Sequence, residues 1–471
     1  MELKERISQW IDAHEQDLLD DTSRLVAVRS VKGEAAPGAP FGLAPKKALD
    51  EALALCQGYG FDTRVYDDCV GTADLAPGLP KGLDILGHLD VVAAGEGWHG
   101  DPFNATVSTD YLYGRGTDDD KGPVSAALLA MRCVRELGLP LTSNCRLIMG
   151  TDEESGSDDL PHYYGTEPPA PCTFTPDAGF PVYNVEKGRY APTFAKALSP
   201  EDALPRVIRI DAGVRANVIP GDARAVVAGL DVLTALVSGM DMAKDMDVNL
   251  SVTPRDDGNM ELVVFGKQAH AASPEDGNNA LTALLHILDA WQFADVPSTR
   301  AVKKLARLFP HGDWRGKALG IAQTDAVSGE LTVSLNILHM DGNGISGQFD
   351  ARVPVCANED NCSSVASARL LAAGYTVEGS MQPAHHTPGD SPFVQTLLHC
   401  YETYTGKKGE CLSTGGGTYV HGIPGGVAFG ASMPGFESNL HGVDERMNIK
   451  DMLTAAKIFA LAIAELCGGQ G

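Results

Sequence analysis

The sequence predicts an α/β chain interrupted in its middle by a separate α+β segment, and three observations carry that prediction. Two apolar runs suited to buried parallel strands, Leu83–Gly87 and Cys145–Gly150, flank a helical stretch at Gly122–Leu139. Strand, helix, strand in that order is the pattern of parallel pairing. From about Gly188 the pattern changes to short alternating runs, and from about residue 382 it returns to Gly-rich loops and helices.

Taken in order, Leu3, Ile7, Trp10, Ile11, Leu18 and Leu25 recur at roughly helical spacing and predict one long opening helix. Leu49, Ala52, Leu53 and Cys56 predict a second, ended by Gly58 and Gly60, with a strand over Asp62–Tyr66. The run Leu83–Gly87 stops at His88. In Gly122–Leu139, Val124, Leu128, Met131, Val134 and Leu137 form one stripe. The run Cys145–Gly150 stops at Thr151-Asp152-Glu153-Glu154. In such sheets chemistry gathers beyond the carboxyl ends of the strands, where His88 and Glu153 both fall. The middle segment offers Val207–Asp211, Glu261–Phe265, Leu331–Leu338 and Ile345–Val353. Leu331, Val333, Leu335 and Ile337 alternate strictly, as in a half-buried antiparallel strand. Asp451–Leu466 reads as a closing helix.

Composition narrows the function classes. At 471 residues the chain exceeds what one core supports, and 44% hydrophobic with 21% charged residues is ordinary globular usage. Against 37 basic residues stand 62 acidic ones, a net charge of −25. Phosphate neutralisation needs basic patches, so nucleic acid and anionic membrane surfaces are poor partners. An acidic surface that keeps the protein soluble accounts for the balance. The 10 cysteines are scattered with no CxxC pair, which predicts buried reduced thiols rather than a zinc knuckle or disulfide scaffold. The opening segment is charged and amphipathic without an apolar h-region, and no run of apolar residues spans a bilayer. The expectation is a soluble cytoplasmic protein.

Five polar clusters sit just after apolar runs or inside Gly-rich loops: Gly87-His88-Leu89-Asp90, Gly114-Arg115-Gly116-Thr117-Asp118-Asp119-Asp120-Lys121-Gly122, Thr151-Asp152-Glu153-Glu154-Ser155-Gly156-Ser157, Thr175-Pro176-Asp177-Ala178 and Asn439-Leu440-His441-Gly442. Singly, each has an ordinary explanation: a satisfied histidine, a solvated turn, a helix cap. As an ordered set they resemble the aminoacylase/carboxypeptidase-type di-zinc metallopeptidases. Within these they resemble the PepV-type dipeptidases, which are carnosinase-like and Xaa-His dipeptidase-like. The resemblance runs over residues 83–187 and 382–471, with weaker matches between.

That resemblance implies a catalytic domain with a mixed sheet flanked by helices, at 1–187 and 382–471, and an inserted, enlarged α+β lid domain at 188–381. It implies two divalent ions per chain: His88 and Asp177 at one, Glu154 and His441 at the other, and Asp119 bridging both. Imidazole and carboxylate suit zinc or manganese, and cobalt is also compatible. Three carboxylates and a bridging hydroxide would balance the four positive charges. Asp118, Asp119 and Asp120 all offer a bridging carboxylate. The family pattern of Asp, any residue, Lys-Gly selects Asp119, with a cis peptide often following it. Glu153 would be the general base for the bridging water, and Asp90 would orient the His88 imidazole through its other ring nitrogen.

In the middle segment, Arg215-Ala216-Asn217-Val218-Ile219-Pro220 and Gly266-Lys267-Gln268-Ala269-His270-Ala271 resemble the family's lid motifs. His270 would stabilise the oxyanion and Asn217 assist binding. Arg352 resembles the residue that grips the substrate's C-terminal carboxylate; a surface ion pair with Asp350 is the other reading. The Gly-rich run Ser413-Thr414-Gly415-Gly416-Gly417-Thr418-Tyr419 is no Walker loop; Gly416 and Thr418 would join in binding that carboxylate. The expected activity is hydrolysis of unblocked dipeptides or very short peptides by a monomer whose lid mimics a second subunit. An N-acyl amino acid deacylase, desuccinylase- or deacetylase-like, is the alternative on the same fold, and a binding protein that has lost catalysis is a third.

Overall fold

The computed structural model describes residues 2–468; residue 1 and residues 469–471, the outer ends of the expected catalytic domain, lie outside the described residues. Two compact units emerge. The first runs to Val185 and resumes over His386–Leu412 and from Gly417 onward; the second comprises Glu186–His385 and Ser413–Gly416.

A nine-stranded mixed sheet carries the first unit. Its central run is ordered Asp62–Tyr66, Val70–Asp74, Asn144–Gly150, Lys81–His88, Cys172–Thr175, Val427–Ala428, Val182–Glu186. Lys81–His88 pairs in parallel with Asn144–Gly150 on one side and Cys172–Thr175 on the other, while Val70–Asp74 pairs antiparallel to Asn144–Gly150. Strand side chains alternate between faces, and the two cores follow that alternation. Ile85, Leu147 and Phe174 enter the large core with helices Leu3–Ala13, Glu15–Val26, Leu43–Gly58, Lys121–Glu136, Pro392–Thr405 and Ile449–Cys467. Leu86 and Ile148 point the other way, into a smaller core with Leu160, Tyr163, Tyr419 and Ile423.

Two local expectations need correction. The opening helix is two helices, Leu3–Ala13 and Glu15–Val26. A continuous helix would bond the His14 N–H to the Trp10 carbonyl. Instead that N–H goes to Ile11, and the His14 ring nitrogen Nδ1 donates to the Trp10 carbonyl at 2.6 Å. The helix Lys121–Glu136 is buried on every side up to Val134, rather than along one stripe. Small residues make this possible: a Cβ at Gly122 would lie 2.0 Å from the Thr117 carbonyl oxygen.

The second unit is a ten-stranded sheet. Its main path is Asn249–Pro254, Met260–Phe265, Asp222–Ala228, Arg206–Ala212, Thr332–Met340, Gly344–Val353, Gly188–Tyr190, Met381–Gln382, with antiparallel pairing throughout. Its apolar face packs against helices Ala280–Ala290, Pro297–Leu308 and Ser364–Ala373. Leu331, Val333 and Leu335 share the apolar core as the alternation predicts, but Thr332, Ser334 and Asn336 are buried too, so the strand is not half-buried, and Ile337 leaves the pattern. A register shift between Leu335 and Ile337 turns Leu338 and Met340 inward and leaves Ile337 half-buried. An extra residue in one strand swaps the faces of everything after it.

Candidate metal centre

All of the candidate ligands lie in the first unit. Parallel register sets His88 opposite Gly150, so the ends of two neighbouring strands deliver His88 and the Glu153-Glu154 turn to one edge of the sheet. His88 is fully buried. Its Nε2 lies 2.9 Å from Asp119 Oδ1 and 3.6 Å from Asp177 Oδ2. His441 Nε2 lies 2.8 Å from Asp119 Oδ2 and 3.2 Å from Glu154 Oε2. Asp119 therefore offers one oxygen to each imidazole. Donor atoms of His88, Glu153 and Asp177 form one set within 4.8 Å of one another, and those of Asp119, Glu154 and His441 form a second.

The Asp triplet is sorted by geometry. Asp120 Oδ2 accepts the His88 backbone N–H at 3.0 Å, and Asp118 Oδ1 accepts the Ser432 hydroxyl at 2.6 Å. Asp119 alone of the three reaches both histidines. The Asp119–Asp120 peptide is cis.

Asp90 meets the other ring nitrogen of His88 and has a second task as well. The nearer partner of His88 Nδ1 is the Asp90 backbone carbonyl at 3.0 Å, with carboxylate Oδ1 at 3.5 Å. The carboxylate is occupied elsewhere, accepting the backbone N–H groups of Glu153 and Glu154 at 3.1 Å each. Asp90 thus orients the imidazole mainly through its main chain and clamps the Glu pair with its side chain.

The electrostatics are those of crowded, buried acids. Burial first, then Asp119, pushes Asp177 up to about 7. Burial and then Asp177 raise Glu153 well above the usual carboxylate range. Burial acts on Asp119 too, but hydrogen bonds from His441 and His88 outweigh it and hold that carboxyl low. Bonding to Asp119 and then Glu154 lifts His441 to about 10. Four carboxylates and two imidazoles crowded around the buried His88 and Asp119 suit divalent cations: the donor types fit, and cations would remove the repulsion.

Two buried groups of this region escaped the sequence reading. Asp159 Oδ2 accepts the N–H groups of Thr151 and Asp152 at 2.6 and 3.1 Å and the Tyr419 hydroxyl at 2.6 Å. Four successive N–H groups, from Thr151 to Glu154, therefore end on two carboxylates. Glu445 is the second such group, fully buried beside Arg115. Neither carried a sequence signal beyond an acidic residue in a polar turn.

The remaining candidates separate between the units. His270 is exposed in the second unit, its Nδ1 accepting the Ala272 N–H at 3.2 Å. Asn217 adjoins it, because Val218 pairs with His270 and the Asn217 carbonyl accepts the Ala271 N–H. Arg352 is buried, not at the surface. Its Nε and Nη2 donate to Asp350 at 2.7 and 3.2 Å, and its Nη1 to the Gly415 carbonyl at 2.7 Å. The Gly416 N–H donates to Thr414 Oγ1. Thr418, in the first unit, caps the short helix Tyr419–Gly422.

The sequence profile of Peptidase family M20/M25/M40 matches residues 85–465. The provisionally named dipeptidase YtjP of Bacillus subtilis (strain 168) is 35% identical over 461 residues, covering 96% of this chain and 97% of the relative. The Beta-Ala-Xaa dipeptidase of Lactobacillus delbrueckii subsp. lactis is 31% identical over 459 residues, covering 97% of each. In fold, the chain is similar to human carnosine dipeptidase 1, with a TM-score of 0.61 over 99% of both chains at 16% identity. The chain belongs to the M20/M25/M40 peptidase family and is a metallopeptidase.

Proposed function

We propose that Glu153 is the general base of this metal-dependent dipeptidase, taking a proton from the attacking water and passing one to the leaving amine. Its carboxylate lies in the donor set of His88 and Asp177, and a carboxylate placed there can take a proton and return it. His88 with Asp177 and His441 with Glu154 would each hold one divalent ion, zinc or manganese, with Asp119 shared. The ions would polarise the scissile carbonyl and favour deprotonation of water.

In this reading the second unit is the lid. His270 stabilises the developing oxyanion, Asn217 assists, and Arg352 with the Gly416 and Thr418 segment receives the substrate's carboxylate through N–H groups not directed at Asp350 or Gly415. The protein acts as a cytoplasmic monomer on unblocked dipeptides; among the described residues no helix is long and apolar enough to cross a membrane. β-Alanyl dipeptides belong among the substrates to test, since a relative is named for them.

The observation that carries the reading is Asp119, with one oxygen toward each histidine. Its test is turnover of Ala-Ala, Ala-His, β-Ala-His and N-acetyl amino acids by the zinc- and manganese-loaded protein. Turnover of the free dipeptides is expected. Turnover confined to the N-acetyl compounds would make the chain a deacylase instead.

A further inference from the structure

Glu445 lies four positions after His441 and is fully buried, as is Arg115. Its Oε1 accepts three backbone N–H groups from the loop that carries Asp119: Gly116 at 2.9 Å, Asp118 at 3.0 Å and Asp119 itself at 3.3 Å. Its Oε2 pairs with Arg115 Nη1. Arg115 Nη2 then donates to the carbonyl of Gly442, the residue after His441, at 2.9 Å. The Arg115 guanidinium also lies over the Trp98 ring, 5.3 Å from its centroid. One ion pair thus ties together the backbones of two loops separated by more than 300 positions.

The His441 loop is tightly turned. Asn439, His441 and Asp444 all adopt left-handed backbone, with φ of 58°, 58° and 55°. Left-handed backbone is uncommon for non-glycine residues, and asparagine, aspartate and histidine are those that adopt it most readily.

We propose that Glu445, with Arg115 as its partner, is a positioning residue of the metal centre that sets where Asp119 and His441 present their donor atoms. The inference rests on the reading of those two residues as ligands. Metal bonds tolerate only small changes in donor placement. An ionised carboxylate can accept three N–H groups and an arginine at once. Glutamine there would turn an NH2 donor against the guanidinium or against the loop N–H groups.

The test is titration of the metal-free full chain with Zn²⁺ and with Mn²⁺, by calorimetry in the presence of a competing chelator. Glu445→Gln is expected to bind at least one of the two ions about 10- to 100-fold more weakly than wild type, the range for partners of metal ligands. Arg115→Lys keeps the charge but loses the fork that reaches both Glu445 and Gly442; it should shift in the same direction, and it decides the matter if Glu445→Gln does not fold. Asp74→Asn breaks a buried ion pair with Arg146 in the same sheet; it should lower thermal stability and leave metal affinity unchanged. Folded Glu445→Gln or Arg115→Lys protein with wild-type affinity for both ions overturns the positioning role. Wild-type protein that binds no ion pair, or Asp119→Ala that binds as tightly as wild type, overturns the ligand reading and this inference with it.

Discussion

The two units treat their polar candidates in opposite ways. In the first, Asp119 and His88 are buried and the carboxylates of Asp177, Glu153 and Glu154 crowd around them, with more acid than base. In the second, charge is balanced or wet: Arg352 is matched by Asp350 and Gly415, and His270 is exposed. Burying like charges is costly unless something neutralises them. The acidic cluster of the first unit is therefore suited to cations, whereas Arg352 in the second already faces a counter-charge.

The largest effect should come from the crowded side. Glu153→Gln removes the proton carrier and should lower kcat by about 10²- to 10⁴-fold while metal analysis still finds two ions; unchanged kcat would take the base role away from Glu153. In the second unit, His270→Ala should cost roughly 10²- to 10³-fold in kcat if it stabilises the oxyanion, with metal content untouched. A loss of metal in that variant would place His270 in the other class.

Arg352→Lys separates the two readings of a balanced group. As a carboxylate grip, the change should raise KM for dipeptides by about tenfold or more, because lysine lacks the planar fork. As a purely structural partner of Asp350, it should lower thermal stability and leave KM alone.

The smallest effect contrasts a buried acid that lies outside the candidate ligand sets. Asp84, in strand Lys81–His88, accepts the Ala170 N–H with one oxygen while the other has no partner. Burial, opposed by Lys81, raises it from 3.8 to about 6. Between those values the folded chain binds more protons than the unfolded chain. Its contribution therefore favours folding at low pH and is lost as pH rises through about 6. Asp84→Asn should remove that slope and raise Tm by a few degrees above pH 7. The metal-loaded centre should show no such gain when its own acids are neutralised by substitution. Thermal melts of both proteins across pH 4 to 8 check this: the same pH profile for wild type and Asp84→Asn would show the assignment mistaken.

What could be read from the sequence follows from how each group acts. His88 and the Glu153-Glu154 pair were visible because they stop apolar strands, and Asp119 because Lys121-Gly122 marks its place in a family pattern. Glu445 and Asp159 were not, because both work by accepting main-chain N–H groups, a role that leaves no partner side chain to recognise. Asp90 is legible as the partner of the other His88 ring nitrogen, but not the separate work of its carbonyl and its carboxylate. In the second unit, the strand from Thr332 to Met340 was visible as an alternation, but its bulge was not; one extra residue is too small a signal to register in a hydrophobic pattern. The break at His14 was hidden in the same way, by apolar spacing that continues across it.

The claim that matters most is that Asp119 stands between two ions. Anomalous diffraction at the zinc edge from crystals of the zinc-loaded protein tests it directly. The account predicts two peaks about 3.5–4 Å apart, one against His88 and Asp177, the other against Glu154 and His441, each contacted by a different Asp119 oxygen. A single peak, or a pair that Asp119 does not touch, would contradict it.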